Sequence, residues 1–292
     1  MQNLSPNKSK TIKANERIPY QDLYIYYLYG QVTPDKEVFD RDFIGCWQED
    51  EFSFLFFSKP SHDKVKKIIA LQPGLNLLDE FQMTYDEWQG GKLSPLKVGR
   101  FWIAPPWQLP LSRQDSDCEE LSIALDPGVV FGTGTHPTTH NCLQALELVF
   151  ARERPGSVLD LGTGTGLLAI AASRLGCPKT LAVDLNLLAV NTAKKNIRLN
   201  RLQNSVLAVQ GRAEDFIDSP SDLVIANIHY DVMKQLVTAQ GFLAKKWFIL
   251  SGLLRTQARD IADKMSRHPI QIIKKWEQDG IWYTFCGRIR NS

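Results

Sequence analysis

The sequence predicts an α/β fold, an open, mostly parallel, doubly wound sheet preceded by a small α+β domain, on three observations. Residues 158–184 read as an apolar strand, a glycine turn, a helix and a second strand ending on an acidic residue, which is one nucleotide-binding βαβ unit. Strand and helix patterns then keep alternating to residue 286. Ahead of a proline-rich stretch lies an aromatic segment with strands and a helix of its own.

Residues 1–16 are polar, contain Lys8, Lys10 and Lys13, and carry no apolar run that could serve as a signal peptide or span a bilayer, so a disordered tail is expected. Residues 17–92 form the small N-terminal domain. Its strands are expected at 23–29, 52–57 and 77–85, and Val65, Ile68, Ile69 and Leu71 give 62–71 a helical stripe. The rings there read first as core filling and second as a recognition face. Pro95, Pro105, Pro106 and Pro110 make 93–120 a connector with one strand at 101–103, and it separates this domain from residues 121–292.

The second domain opens with a strand that ends in a loop of glycines and hydroxyls, Phe131-Gly-Thr-Gly-Thr-His-Pro-Thr138-Thr139, and a helical run follows from His140. A free helix start with threonine hydroxyls suits a carboxylate, although Thr138 and Thr139 also suit simple capping. His136 reads as a hydrogen-bonded fixture before it reads as a general base. Next comes Val158-Leu-Asp160-Leu-Gly162-Thr-Gly164-Thr-Gly166, then a strand ending on Asp184, which is placed to accept two ribose hydroxyls. The glycines follow G-x-G-x-G; Leu167 stands where a dinucleotide fingerprint needs its third glycine, and Asp160 would repel a pyrophosphate but can hold a cation. Further on, 187–199 is a helix, 205–209 a strand, 222–228 a buried strand opening at Asn227, 247–251 a strand, 257–265 a helix and 282–286 a last strand. Asn227 therefore shares a crevice with Gly162 and Asp184.

The chain has 292 residues, 43% hydrophobic and 23% charged, with a net charge of +2, which makes no general electrostatic case for nucleic acid. Five cysteines lie scattered without a C-x-x-C pair or metal-ligand spacing, so a reducing cytoplasm fits better than a secreted disulfide framework.

The glycine turn resembles motif I of the S-adenosylmethionine-dependent methyltransferases. Four segments in order, at 125–139, 158–166, 222–228 and 248–253, resemble the PrmA family, which methylates amino groups of ribosomal protein L11; the likeness covers roughly residues 85–290. The resemblance implies a Rossmann-like class I methyltransferase domain, S-adenosyl-L-methionine as cofactor, and cofactor contacts at Thr139, Gly162, Asp184 and Asn227. Asp160, Gly164, Thr138 and Phe131 join them by position, with Asn227 aiming the acceptor amine and Tyr230 as a wall. It further implies a protein substrate, a ribosomal one, with no membrane and no direct nucleic-acid partner, and a monomer is favoured. Two departures stand out. The family keeps a ferredoxin-like N-terminal substrate domain, yet 31–47 has no apolar stripe where its first helix would stand, and Asn227 is followed by Ile228-His229-Tyr230 where Leu and Ala are usual. A methyltransferase of another protein, a nucleic acid or a small molecule, or an inactive cofactor-binding homologue, would keep the same cofactor residues.

Overall fold

The computed structural model describes residues 20–33, 40–108 and 120–290. The tail expected at 1–16 lies outside them, as do 34–39 of the stripe-less stretch and 109–119 of the proline-rich one.

Strands β1 (Asp22–Tyr29), β2 (Phe43–Glu49), β3 (Phe52–Phe57) and β4 (Asn76–Thr84) form an antiparallel sheet in the order β2-β3-β1-β4, and α1 (His62–Leu71) joins β3 to β4. Alternation along β1 and β3 puts Tyr26, Leu28, Leu55 and Phe57 on one face, where Val65 and Ile68 of α1 cover them. The other face buries Leu23, Ile25 and Phe56 against Val129, Val130, Leu188 and Ala189 of the larger sheet's unit, so one hydrophobic cluster crosses the seam. The strand order is that of a ferredoxin-like unit. Between β1 and β2 the described residues contain no helix. Strand β2 falls in the stripe-less stretch; Gly45 and a bulge between Phe43 and Gly45 interrupt the period-two pattern that would have announced it. A capping box between Thr84 and Glu87 then starts α2 (Tyr85–Trp88).

The proline-rich stretch is more than a connector. Strands β5 (Leu96–Val98) and β6 (Phe101–Ala104) form with β7 (Leu121–Ala124) a three-stranded sheet in which β6 and β7 run parallel. Val98, Phe101 and Ile103 are buried in the same cluster as the large sheet. The prolines mark where these strands end, and runs of three or four residues are too short to show a period.

The remaining chain runs α3 (Pro137–Arg152), β8 (Val158–Leu161), α4 (Leu167–Arg174), β9 (Thr180–Asp184), α5 (Leu187–Leu199), β10 (Val206–Gln210), α6 (Ala213–Phe216), β11 (Leu223–Asn227), α7 (Tyr230–Leu236), α8 (Gln240–Leu243), β12 (Trp247–Leu254), α9 (Arg255–Ser266), β13 (Ile270–Gln278) and β14 (Trp282–Ile289). Seven strands line up as β10-β9-β8-β11-β12-β14-β13, parallel as far as β12, with β14 antiparallel to both its neighbours. Apolar residues of α3, α4 and α5 cover one face, and those of α7, α8 and α9 the other, so strands such as β8 are buried along their whole length. Chain order reverses between β8 and β11, and that switch point opens a crevice beyond the strands' C-terminal ends. Strand β13 gave no sequence signal, because this exposed edge strand carries Lys274 and Lys275 in place of an apolar alternation.

Candidate active site

The glycine turn after β8 is held from both sides. Gly162 and Gly164 have φ of 70° and 55°, and a Cβ on Gly162 would collide with Ile228, while one on Gly164 would come within 2.5 Å of the Phe131 carbonyl oxygen. Gly162 N–H donates to the Val183 carbonyl at 2.8 Å, and Gly164 N–H donates to Asp184 Oδ2 at 2.9 Å. Asn186 N–H holds Asp184 Oδ1 at 2.9 Å, which fixes the carboxylate's plane at the tip of β9. Each oxygen keeps a further lone pair for a hydroxyl donor. Burial pushes the Asp184 carboxyl up from the usual range, and the two amides oppose that.

Asp160 sits inside β8 and is almost fully buried. Thr163 Oγ1 donates to its Oδ2 at 2.6 Å, whereas Oδ1 has no hydrogen-bond partner among the described residues. Burial, with a smaller contribution from Asp184, pushes its pKa up to about 7. An unpartnered buried carboxylate oxygen costs roughly 1 to 3 kcal/mol, and a cationic group would remove that cost.

The loop from 125 to 136 closes over this turn. Asn196, fully buried on α5, accepts from Asp126 N–H and donates to the carbonyls of Asp126 and Thr165, each at 2.9 Å. Thr165 adds two bonds, N–H to the Phe131 carbonyl at 3.1 Å and Oγ1 to the Gly132 carbonyl at 2.6 Å. The Phe131 ring is 54% exposed and meets His136 edge-on. Sequence reading missed Asn196 and Thr165. A buried asparagine in the apolar stripe of α5, beside Ala193 and Ile197, was the available signal.

Helix α3 begins earlier than the run at His140 suggests, with His136 as its cap, Pro137 in the first position, and Thr138 and Thr139 in the first turn. Thr138 N–H donates to His136 Nδ1 at 3.3 Å, so Nδ1 is an acceptor and the Thr138 hydroxyl, 2.7 Å away, donates to it as well. Burial lowers the His136 pKa, which favours the neutral ring. With its proton committed, Thr138 Oγ1 can only accept from Asn227 Nδ2 at 3.3 Å, and Thr139 Oγ1 lies at 3.5 Å from the same nitrogen. That chain fixes the Asn227 amide and leaves Oδ1 beside Gly252 as the free acceptor. His136 is therefore a fixture, packed between Phe131 and Trp282, a ring that sequence reading did not single out.

Gly162, Gly164, Asp160, Asp184, Asn227, Thr138, Thr139 and Phe131 thus gather around one crevice. Tyr230 is oriented differently: it opens α7, packs with the cluster on the other face of the sheet, and donates its hydroxyl to Asp260 of α9 at 2.8 Å.

A mixed α/β fold with this parallel-rich strand order and this glycine turn is consistent with a class I methyltransferase. The family model described as Ribosomal protein L11 methyltransferase (PrmA) matches residues 57–290, and the chain belongs to that family. Ribosomal protein L11 methyltransferases of Geobacillus kaustophilus and Cyanothece sp. are 39% identical over 199 residues and 37% identical over 192; they are covered over 61% and 63% of their length and match 65% and 63% of this chain. The chain thus spans about three-fifths of the length of the curated relatives it matches. The crystal structure of ribosomal protein L11 methylase from Lactobacillus delbrueckii subsp. bulgaricus superposes with a TM-score of 0.57 at 26% identity, over 68% of this chain and 99% of that one. Family and fold imply S-adenosylmethionine as cofactor, and the unpartnered Asp160 Oδ1 and the Cβ-free glycine turn fit it. No helix among the described residues is long and apolar enough to cross a membrane.

Proposed function

We propose that this chain transfers methyl groups from S-adenosylmethionine to protein amino groups, lysine side chains and an N-terminal amine among them, with ribosomal protein L11 as acceptor. The observation that carries this reading is the Asn227 amide, locked through Thr138 and His136 in the crevice that also holds the glycine turn and Asp184. Residues 121–292 are the catalytic domain, which strands β5 and β6 of the 93–120 stretch join, and 17–92 recognise the acceptor; the protein works in the cytoplasm as a monomer.

Bound S-adenosylmethionine supplies an electrophilic methyl on a sulfonium. Asp184 would accept hydrogen bonds from the ribose hydroxyls, Asp160 would hold the amino group, and the start of α3 would offer its positive end to the carboxylate. The acceptor amine must be neutral to attack, and stripping the proton from a free lysine at pH 7 costs ~4 to 5 kcal/mol. A desolvating crevice lowers that cost, and Asn227 Oδ1 accepts an amine hydrogen so that the lone pair faces the methyl. No general base is needed from His136, whose Nδ1 lone pair is occupied. Incubation with S-adenosylmethionine labelled in its methyl group and purified ribosomal protein L11 tests the reading. Label on L11 amino groups is expected, and tight cofactor binding without transfer to L11 would overturn the acceptor.

A further inference from the structure

The face of the small sheet opposite α1 is buried only at its inner end, where Leu23, Ile25 and Phe56 meet the larger unit. Register carries the same face outward through Tyr27, Phe54 and Phe52, with Trp47 opposite Phe54 and Phe81 opposite Ile25. Tyr27 stacks on Phe54 with centroids 4.6 Å apart, and Phe81 is 43% exposed while the other rings are half-buried. A row of part-exposed rings continuous with an internal seam is surface left for a partner.

Charge says which partner. Register puts Glu49 opposite Phe52 and Asp79 opposite Tyr27 on this face, the β2–β3 turn adds Asp50 and Glu51, and strands β1 to β4 carry no Lys or Arg, whereas Asp22 and Glu80 fall on the α1 side, where Glu80 meets His62. Lysines lie behind the sheet instead, on α1 at Lys64, Lys66 and Lys67. A nucleic acid needs cations against its phosphates, and this face offers carboxylates. Aromatic rings ringed by carboxylates suit ammonium and guanidinium groups carried on aliphatic stems.

We propose that this aromatic face, rimmed by Glu49, Asp50, Glu51 and Asp79, docks a lysine- and arginine-bearing segment of the protein acceptor; the inference rests on the acceptor being a protein, as argued above. Position supports it. Val129 and Val130 lie in the cluster under the inner end of the face, and the next residue, Phe131, reaches the glycine turn. A chain lying on the rings therefore borders the loop that closes the crevice.

The test uses the full chain, with purified ribosomal protein L11 as the probe and calorimetry as the readout. Glu49→Lys/Glu51→Lys and, separately, Phe81→Ser change exposed side chains, and Lys66→Glu behind the sheet is the control. The two face variants should weaken L11 binding at least tenfold and flatten its salt dependence in the charge variant, with S-adenosylmethionine affinity unchanged and the control like wild type. Face variants that bind L11 within twofold of wild type overturn the docking face, and leave the methyl-transfer reading intact if L11 is still labelled. If wild type binds L11 without labelling it, the acceptor reading fails alone and the variants still decide the face. Absence of binding by wild type overturns the docking proposal as stated.

Discussion

The two sheets of this chain solve different problems. Along the C-terminal edge of the seven-stranded sheet, the polar candidate residues are held by hydrogen bonds: Asp184 by two main-chain amides, Asn227 by the hydroxyls of two threonines and behind them a histidine, Asp160 by the Thr163 hydroxyl. On the aromatic face of the four-stranded sheet the central rings are held by packing instead: Tyr27 and Phe54 stack on one another across strands. A crevice for a small molecule needs atoms fixed to tenths of an ångström, whereas a surface for a large partner needs only area and charge of the right sign. The first imposes its pattern on short stretches of sequence, and the second spreads over strand register.

The sharpest way to break that contrast is to disturb the fixed atoms. Asn227→Ala should lower kcat about a hundredfold, as loss of an aiming group does, with far less effect on cofactor affinity. Asn227→Asp should not restore turnover, since an anion there favours the protonated amine; single-turnover kinetics at saturating S-adenosylmethionine decide it. Asp184→Ala comes next. It removes the acceptor for Gly164 N–H as well as for the ribose, and affinity should fall roughly ten- to a hundredfold, ~1.5 to 3 kcal/mol, by calorimetry.

The seam between the sheets gives a stability test of the same contrast. Gly45 of β2 lies against Leu188 of α5, and a larger side chain there must displace it. Gly45→Leu should destabilise by about 1 to 3 kcal/mol in urea unfolding, and adding Leu188→Ala should recover part of that loss. Simple additivity of the two changes would mean that the seam carries no coupling.

The smallest effect is a pH dependence. The Asp160 pKa, raised to about 7 in the folded chain, exceeds its unfolded value of roughly 3.9. Below pH ~4 the group is protonated in both states and stabilises fully; as pH rises through the interval to about 7 only the unfolded chain ionises, so that stability is lost and then levels off. Cofactor held by its ammonium selects the ionised carboxylate, so affinity should rise about tenfold from pH 6 to pH 8 with proton release on binding. Asp160→Asn should remove that slope, and titrations in buffers of different ionisation enthalpy measure it.

How legible each region was follows from the same contrast. The glycine turn, Asp184, Asn227 and helix α5 could be read directly, because turn, strand and helix periods there coincide with burial. Strands β5 and β13 could not, one being three residues long and the other an exposed edge. The pins Asn196 and Thr165 were hidden for another reason: a polar residue in an apolar stripe says that a partner exists, and only the fold says that the partner is a loop seventy residues earlier for Asn196. Tyr230 looked like a neighbour of Asn227 because only two residues separate them, yet a helix start between them turns its ring toward α9.

The run from Asp126 to Pro137 also behaves as a ruler. It is clamped at Asp126 by Asn196, at Phe131 and Gly132 by Thr165, and at Pro137 by the start of α3. Between the seam contact of Val130 and the carbonyl of Phe131 there is no spare residue. Most surface loops accept added or lost residues cheaply. Here a single insertion after Val130 would move the Phe131 carbonyl off Thr165 or pull Val130 out of the seam, so this loop's length is as constrained as the identity of any residue in it.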